Sequence, residues 1–455
     1  MRDALGGAHH DYTQGPLSRA IFLLAIPMVL EMVGESAFAV CDLYFISDAL
    51  GKHAIAALGY TESMLTIVFA IAIGLAMATT ATVARRVGEK DLPAAAEVGA
   101  QSVYLGLTLA LLLGVPCAFL GPWLLGLMSD EAAVVEQGST YARIILGTNG
   151  VILLLFLHNA IFRGSGDAML ALRTLWLANG INLVLDPCLI YGLGPFPELG
   201  LTGAAIATTC GRSVGVAYQL WVLRGTACRV RISGAAWRLR PSIMLRLLRL
   251  SGVAIFQFLI ATSSWIALMR IVGMFGSAAA AGYTSAIRVV MFTLLPSWGL
   301  SNAAATLVGQ NLGAGHPDRA ERSVWITGFY NSGFLLLLAI AFLVAPEAIL
   351  SIFTDDPEVL AFGATSLRIL ACGYPFYAWG MVLVQAFNGA GDSTTPTWIN
   401  LFCFWVLQIP AAFTMAHALG MGPSGVFWAI AGAESLLAVI AALVFRRGRW
   451  RTQSV

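Results

Sequence analysis

From Ala20 to Phe445 the chain is divided almost wholly into apolar stretches of more than twenty residues, and that pattern leaves few solvents in which it can fold. About 20 apolar residues, wound as a helix, cross the roughly 30 Å hydrocarbon core of a bilayer. Stretches of that kind fall near 20–46, 54–84, 96–118, 138–162, 169–192, 200–223, 248–272, 277–308, 324–345, 361–387, 396–418 and 425–445. Twelve transmembrane helices are therefore predicted. The breaks between them are turn material, among them GEKDLP, GLGPFPELG, GAGHPD, FTDDPE and GMGPSG. With 58% hydrophobic residues, 11% charged residues and a mean hydropathy of +0.80, a soluble globular fold is excluded.

Residues 1–18 are polar, and the first apolar stretch has no small-residue cleavage site, so it reads as a retained helix rather than a signal peptide. His9, His10 and Asp11 read as part of a polar terminus rather than a metal site. The cysteines at 41, 117, 188, 210, 228, 372 and 403 are scattered without a CxxC pair, so neither a disulfide framework nor a thiolate metal site follows.

The net charge of +2 matters less than where the charges lie. When alternate connections are assigned to one side, that side collects Arg85, Arg86, Lys90, Arg163, the arginines from 224 to 249 and those from 446 to 451. The other side keeps Lys52 and gathers acids such as Asp130, Glu131, Asp355 and Asp356. By the positive-inside rule both termini are cytoplasmic. The expected organisation is a tail at 1–19, an N-lobe of helices 1–6 at 20–224, a basic cytoplasmic linker at 225–246, a C-lobe of helices 7–12 at 247–446 and a basic tail at 447–455.

The two lobes repeat at an offset of 225. FRGSGD (162–167) falls on FNGAGD (387–392), Gly74-Leu75 on Gly299-Leu300, and Arg85–Gly88 on Gln310–Gly313. An even number of helices per half keeps both copies in one orientation. The fold class expected is therefore an all-α polytopic membrane protein of two pseudo-symmetric six-helix lobes, a parallel repeat suited to alternating access.

Against this apolar background the acids of the first helix stand out. Glu31, Glu35 and Asp42 project from nearly one helical face. An ionised carboxylate at a bilayer centre costs about 2.5–3.5 kcal/mol, so such residues face a wet cavity, a cation or a proton unless they are hydrogen-bonded to neighbouring helices. Pro27, in the same helix, predisposes it to bend. In the fifth helix Asn179, Asn182 and Asp186 share a face, and Asp42 and Asp186 count to comparable depth. Two carboxylates and two amides suit a proton or a hard cation, while the asparagines can equally tie helices together. The repeat lacks these acids, since Asp42 maps onto Ala267 and Asp186 onto the 409–411 region. Arg288, Glu62 and Glu434 remain without an assigned role.

Several of these stretches together resemble the multidrug and toxic compound extrusion (MATE) family, and its DinF-like branch in particular. They are YTQGPLSRAIFLLAIP (12–27), NLVLDP (182–187), FRGSGD and FNGAGD, TLVGQNLGAG (306–315) and FRRGRWR (445–451). The resemblance implies an antiporter of the inner (plasma) membrane that exports amphipathic, often cationic small molecules in exchange for H⁺ or Na⁺. It carries ion coupling onto Asp42, Asn182 and Asp186, with Asn179 beside them, and helix bending onto Pro27. Na⁺ would take Asp42, Asn182 and Asp186. Glu31, Glu35 and Phe38 are expected to line the substrate cavity. The family's other large branch carries acids on helices 7 and 10, where this chain has Thr262 and Tyr377. No cofactor beyond the coupling ion, no nucleic acid and no enzymatic motif is expected, and the protein reads as a monomer in the lipid bilayer. The alternatives are a flippase of lipid-linked saccharides, an exporter of one metabolite, or a channel.

Overall fold

The computed structural model describes residues 10–453, including the side chains of all but 42, 43, 47–50 and 52. The described chain is helical nearly throughout, as its apolar stretches require: in hydrocarbon a backbone must satisfy its own hydrogen bonds. The long helices are α1 (Leu17–Ile46), α2 (His53–Gly88), α3 (Leu92–Met128), α4 (Ala132–Ser165), α5 (Ala168–Ile190) and α6 (Leu201–Arg224). They continue as α7 (Pro241–Gly273), α8 (Ser277–Gly313), α9 (Pro317–Val344), α10 (Pro357–Gly389), α11 (Thr394–Ala418) and α12 (Pro423–Arg446). Eleven of these are apolar and long enough to cross a membrane. α6 is the exception among the described helices. It has the length, at 24 residues, but carries Thr208, Thr209, Arg212, Ser213 and Gln219.

The chain separates into two compact units, one of Leu30–Ser251 and one of Asp11–Val29 with Gly252 onward. The division falls inside α1, three residues after Pro27. The N-terminal half of that helix therefore belongs to the second unit, where a Cβ added at Gly299 of α8 would meet the Met28 carbonyl at 2.7 Å. Each unit has its own apolar cores, one pair built around Leu75, Phe162, Leu153 and Ala205, the other around Tyr374, Phe427, Val308 and Phe387.

The 225-residue repeat reappears as hydrogen-bond geometry. After α4 the chain turns through Gly166 (φ 90°), with the Asp167 amide donating to the Phe162 carbonyl at 2.8 Å. After α10 it turns through Gly391 (φ 86°), with the Asp392 amide donating to Phe387 at 2.9 Å. After α2 and α8 the amides of Asp91 and His316 likewise reach back to Arg86 and Asn311, through Lys90 (φ 61°) and Gly315 (φ 74°). Packing repeats as well: a Cβ on Gly164 would lie 2.9 Å from the Thr80 carbonyl, and one on Gly389 would lie 2.3 Å from that of Ala305. All these pairs are 225 apart.

By the last helix the register has moved. Gly200 before α6 (φ 54°, ψ −130°) and Gly422 before α12 (φ 60°, ψ −148°) adopt one conformation, but they are 222 apart. The change falls in α11 and the turn after it. There Leu401–Gln408 and Thr414–Ala418 are π-helical, whereas α5 is α-helical throughout. π-Helix is uncommon and tends to mark functional positions. The counterpart of Asn182–Asp186, near 407–411, begins at the end of the first π-helical stretch and runs into the α-helical turn Ile409–Phe413 between the two.

The left-handed turns give a test with opposite signs. A non-glycine residue there costs about 1–2 kcal/mol. Gly391→Ala should therefore lower the thermal unfolding midpoint of the purified protein, and Lys90→Gly should raise it. A lower midpoint for Lys90→Gly would show that its side chain contributes more than its backbone costs.

Residues 225–240 are docked rather than loose. The Arg229 amide donates to Asp167 Oδ2 at 2.7 Å, Gln101 of α3 bonds the Arg238 carbonyl and the Arg240 amide, and the Tyr104 hydroxyl donates to the Trp237 carbonyl at 2.9 Å.

Candidate functional site

One part of the candidate site is set by how closely α5 and α6 approach. Gly203, Gly211 and Gly215 recur along α6 at intervals that keep them near one face. A Cβ at Gly211 would lie 2.5 Å from the Ala178 carbonyl and 3.2 Å from Asn182 Cβ, and one at Gly203 would lie 2.4 Å from the Leu189 carbonyl. Small residues that let backbones meet are the usual means of joining helices in lipid. The contact sets Thr208, three residues before Gly211, against Asn182.

Asn182 Nδ2 then donates to Asp186 Oδ1 at 3.1 Å and to Thr208 Oγ1 at 3.2 Å. Asp186 is fully buried, and Asn182 is nearly so. Pro187 follows directly and lacks an amide, which leaves the Leu183 carbonyl without its helical donor. A carboxylate, an amide oxygen and a hydroxyl thus gather in an apolar unit, a donor set suited to a proton or to a hard cation. Among the described residues, no group of three or more His, Cys, Asp or Glu side chains is placed to hold a metal ion. The Asp42 side chain lies outside the described residues.

Asn179 stands apart from this pair. Its amide lies 3.5 Å from Glu35 Oε2, at the limit of a hydrogen bond, and Glu35 is exposed. Phe38, three residues on, is half-buried. Pro27 lies within continuous helix.

Glu31 has different surroundings. It is 2% exposed, and its Oε1 accepts from Arg163 Nη2 at 2.5 Å and from Asn159 Nδ2 at 3.2 Å. Gln219 of α6 donates to Asn159 Oδ1 at 2.7 Å. Gln219 Oε1 lies 3.1 Å from His158 Nδ1; because that oxygen only accepts, Nδ1 carries the proton. Donors therefore run in one direction, from His158 through Gln219 and Asn159 to Glu31, with Arg163 as a second donor at the end. A chain of that polarity needs an acceptor at its terminus, and an ionised carboxylate supplies one. The field of Glu31 is spent locally on Arg163, whereas that of Glu35 is not.

Sequence reasoning missed Thr208, His158, Asn159 and Gln219, and counted Arg163 only as a surface charge. A signal was present, since Asn159 and Arg163 are four apart and share a helical face inside an apolar stretch.

With this geometry in place, the chain can be compared with known proteins. It matches the MatE family over residues 27–188 and 254–414. It is 25% identical over 449 residues to a probable multidrug resistance protein NorM of Thermotoga maritima, covering 96% of this chain and 94% of that one. It is 27% identical over 411 residues to an FAD transporter of Shewanella oneidensis, covering 89% of each. A solved outward-facing structure of a multidrug resistance MATE family transporter of the MOP superfamily superposes with a TM-score of 0.89 at 25% identity, covering 97% and 98% of the two chains.

Proposed function

The chain belongs to the MatE family, and from that premise we propose that it is a secondary antiporter that exports amphipathic, mainly cationic compounds in exchange for H⁺ or Na⁺. The observation that carries the reading is the Asn182–Asp186–Thr208 cluster, oxygen-rich and buried in a membrane-spanning unit. Asp42 of α1 is assigned to the same site by its calculated depth. Binding of a proton or Na⁺ removes the mutual repulsion of the two carboxylates. α1 is then free to bend near Pro27 and reshape the substrate space between the ion-loaded and ion-free forms. Exchange follows because each ligand favours a different conformation. Both termini are assigned to the cytoplasm on the distribution of arginine, and the membrane to the inner one on the family.

The test is export of ethidium, from cells and in proteoliposomes, under an imposed proton gradient and then a sodium gradient. Saturable export driven by one of them is expected. Export indifferent to both would remove the antiport reading.

The two first-helix glutamates separate in a second experiment. Glu35 is exposed and held only at the limit of hydrogen bonding, so Glu35→Gln should weaken export of a cationic dye about three- to tenfold more than that of a neutral one. Glu31 is already compensated by Arg163, so Glu31→Gln should not discriminate by substrate charge. Equal losses for both dyes with Glu35→Gln would end its role in charge selection.

The relative named as an FAD transporter supports a second reading, export of one metabolite that is not a cation. Export of FAD but not ethidium from the same proteoliposomes would favour it.

A further inference from the structure

The second unit carries a buried acid that the proposed exchange cycle does not use. Glu434 is the twelfth of the 24 residues of α12, which places it near the bilayer midplane, and it is 6% exposed. α10 and α12 come close at two levels. A Cβ on Gly373 would lie 3.2 Å from the Ala431 Cα, and one on Gly380 would lie 2.9 Å from Leu437 Cδ2. Tyr377 lies about one turn from each of those glycines, and Glu434 lies three residues from both Ala431 and Leu437. The two backbone contacts therefore bracket Tyr377 and Glu434, whose side chains lie close enough to interact. Cys403 of α11 is the other titratable group facing it. Among the described residues, no Arg, Lys or His forms an ion pair with Glu434.

We infer that Glu434 is a proton-binding site of the second unit, separate from the cluster at Asp186. A carboxylate at the centre of a membrane span with no cation beside it is stable as a neutral acid, or as an anion with a bound ion. Two carboxyl oxygens, one phenol and one thiol are a poor set for a hard cation, which takes more oxygens than this. They are sufficient for a proton. When Glu434 holds the proton, the phenol and the acid bond as neutral partners. When the proton leaves to water, the Tyr377 hydroxyl donates to the carboxylate that remains. The balance is a single proton taken up or released at one carboxyl oxygen. If the antiport reading is correct, this site adds a second proton to the cycle.

The test has one arm that does not depend on transport. Infrared difference spectra of the full-length protein in liposomes, taken between acidic and alkaline buffer, should contain a carbonyl band of a neutral carboxylic acid that Glu434→Gln removes. Tyr377→Phe should keep that band but shift it, because the neighbouring phenol is gone, and Glu434→Asp should retain a band. Identical wild-type and Glu434→Gln spectra would overturn the inference. In the second arm, proteoliposomes exchanging tetraphenylphosphonium for protons should move one proton fewer per cation in Glu434→Gln. An unchanged ratio would overturn a role in coupling. Absence of any gradient-driven exchange in the wild type would count against the antiporter reading instead, with the infrared arm still deciding whether Glu434 binds a proton.

Discussion

Asp186→Asn should lower gradient-driven export by about a hundredfold or more, while folded protein still reaches the membrane. The substitution keeps the shape of the side chain and removes its only titratable group. An amide can neither release a proton nor neutralise Na⁺, so the site no longer distinguishes loaded from unloaded, and a gradient has nothing to act on. A tenfold change in rate corresponds to about 1.4 kcal/mol, so a hundredfold loss asks for about 2.7 kcal/mol of differential stabilisation, within what one buried charge supplies. Folding should be largely spared. The new amide can present its oxygen to Asn182 Nδ2, and the Asn182 oxygen, which accepts no hydrogen bond in the structure, is available to its NH₂ group. Asp42→Asn should have the same effect if the two carboxylates act as one site. Dye export under an imposed gradient, read beside the amount of monodisperse protein extracted, decides the matter. Wild-type export by Asp186→Asn would remove that residue from coupling.

How much of this was legible in the sequence depends on the kind of signal. The apolar stretches and the 225 offset were readable because membrane crossing and duplicated turns impose fixed lengths; the turns at Gly166 and Gly391 carry the same hydrogen bonds. The Asn182–Asp186 contact was readable because four residues is one helical turn. Thr208 was not, since a hydroxyl in an apolar helix is commonplace and only the glycine-mediated approach of α6 places it beside Asn182. Asn179 shares a face with Asn182 by spacing but is engaged with Glu35 instead, because an i, i+3 pair diverges when one member is drawn to another helix. The drift from 225 to 222 comes from the connection between α11 and α12, four residues at 419–422 against ten at 191–200 between α5 and α6, which outweighs the extra residues taken up by the π-helical turns of α11. Arg163 was hidden for a different reason: near a turn it looks like a surface charge, and only its partner shows that it points inward.

That partner sets up the strongest stability test, a double-mutant cycle on Glu31 and Arg163. Breaking a buried ion pair by removing one member costs about 3–5 kcal/mol, because the remaining charge keeps its desolvation penalty and loses its compensation. Glu31→Gln and Arg163→Gln should each lower the unfolding midpoint and the yield of monodisperse protein. The two should not be equal. Glu31 is 2% exposed and Arg163 16%, and a guanidinium on a long stem can turn toward water more readily than a carboxylate enclosed by three helices. Arg163→Gln should therefore be the more damaging. The double variant Glu31→Gln/Arg163→Gln places two neutral amides where the ion pair stood, with Asn159 still present to bond the first and Gln219 to hold Asn159, so most of the loss should be recovered. Non-additivity of about 2 kcal/mol or more is the expected signature of a directly coupled pair. Simple additivity would mean that the chain from His158 to Glu31 stabilises the unit without the ion pair, and that Arg163 owes its position to its other contacts.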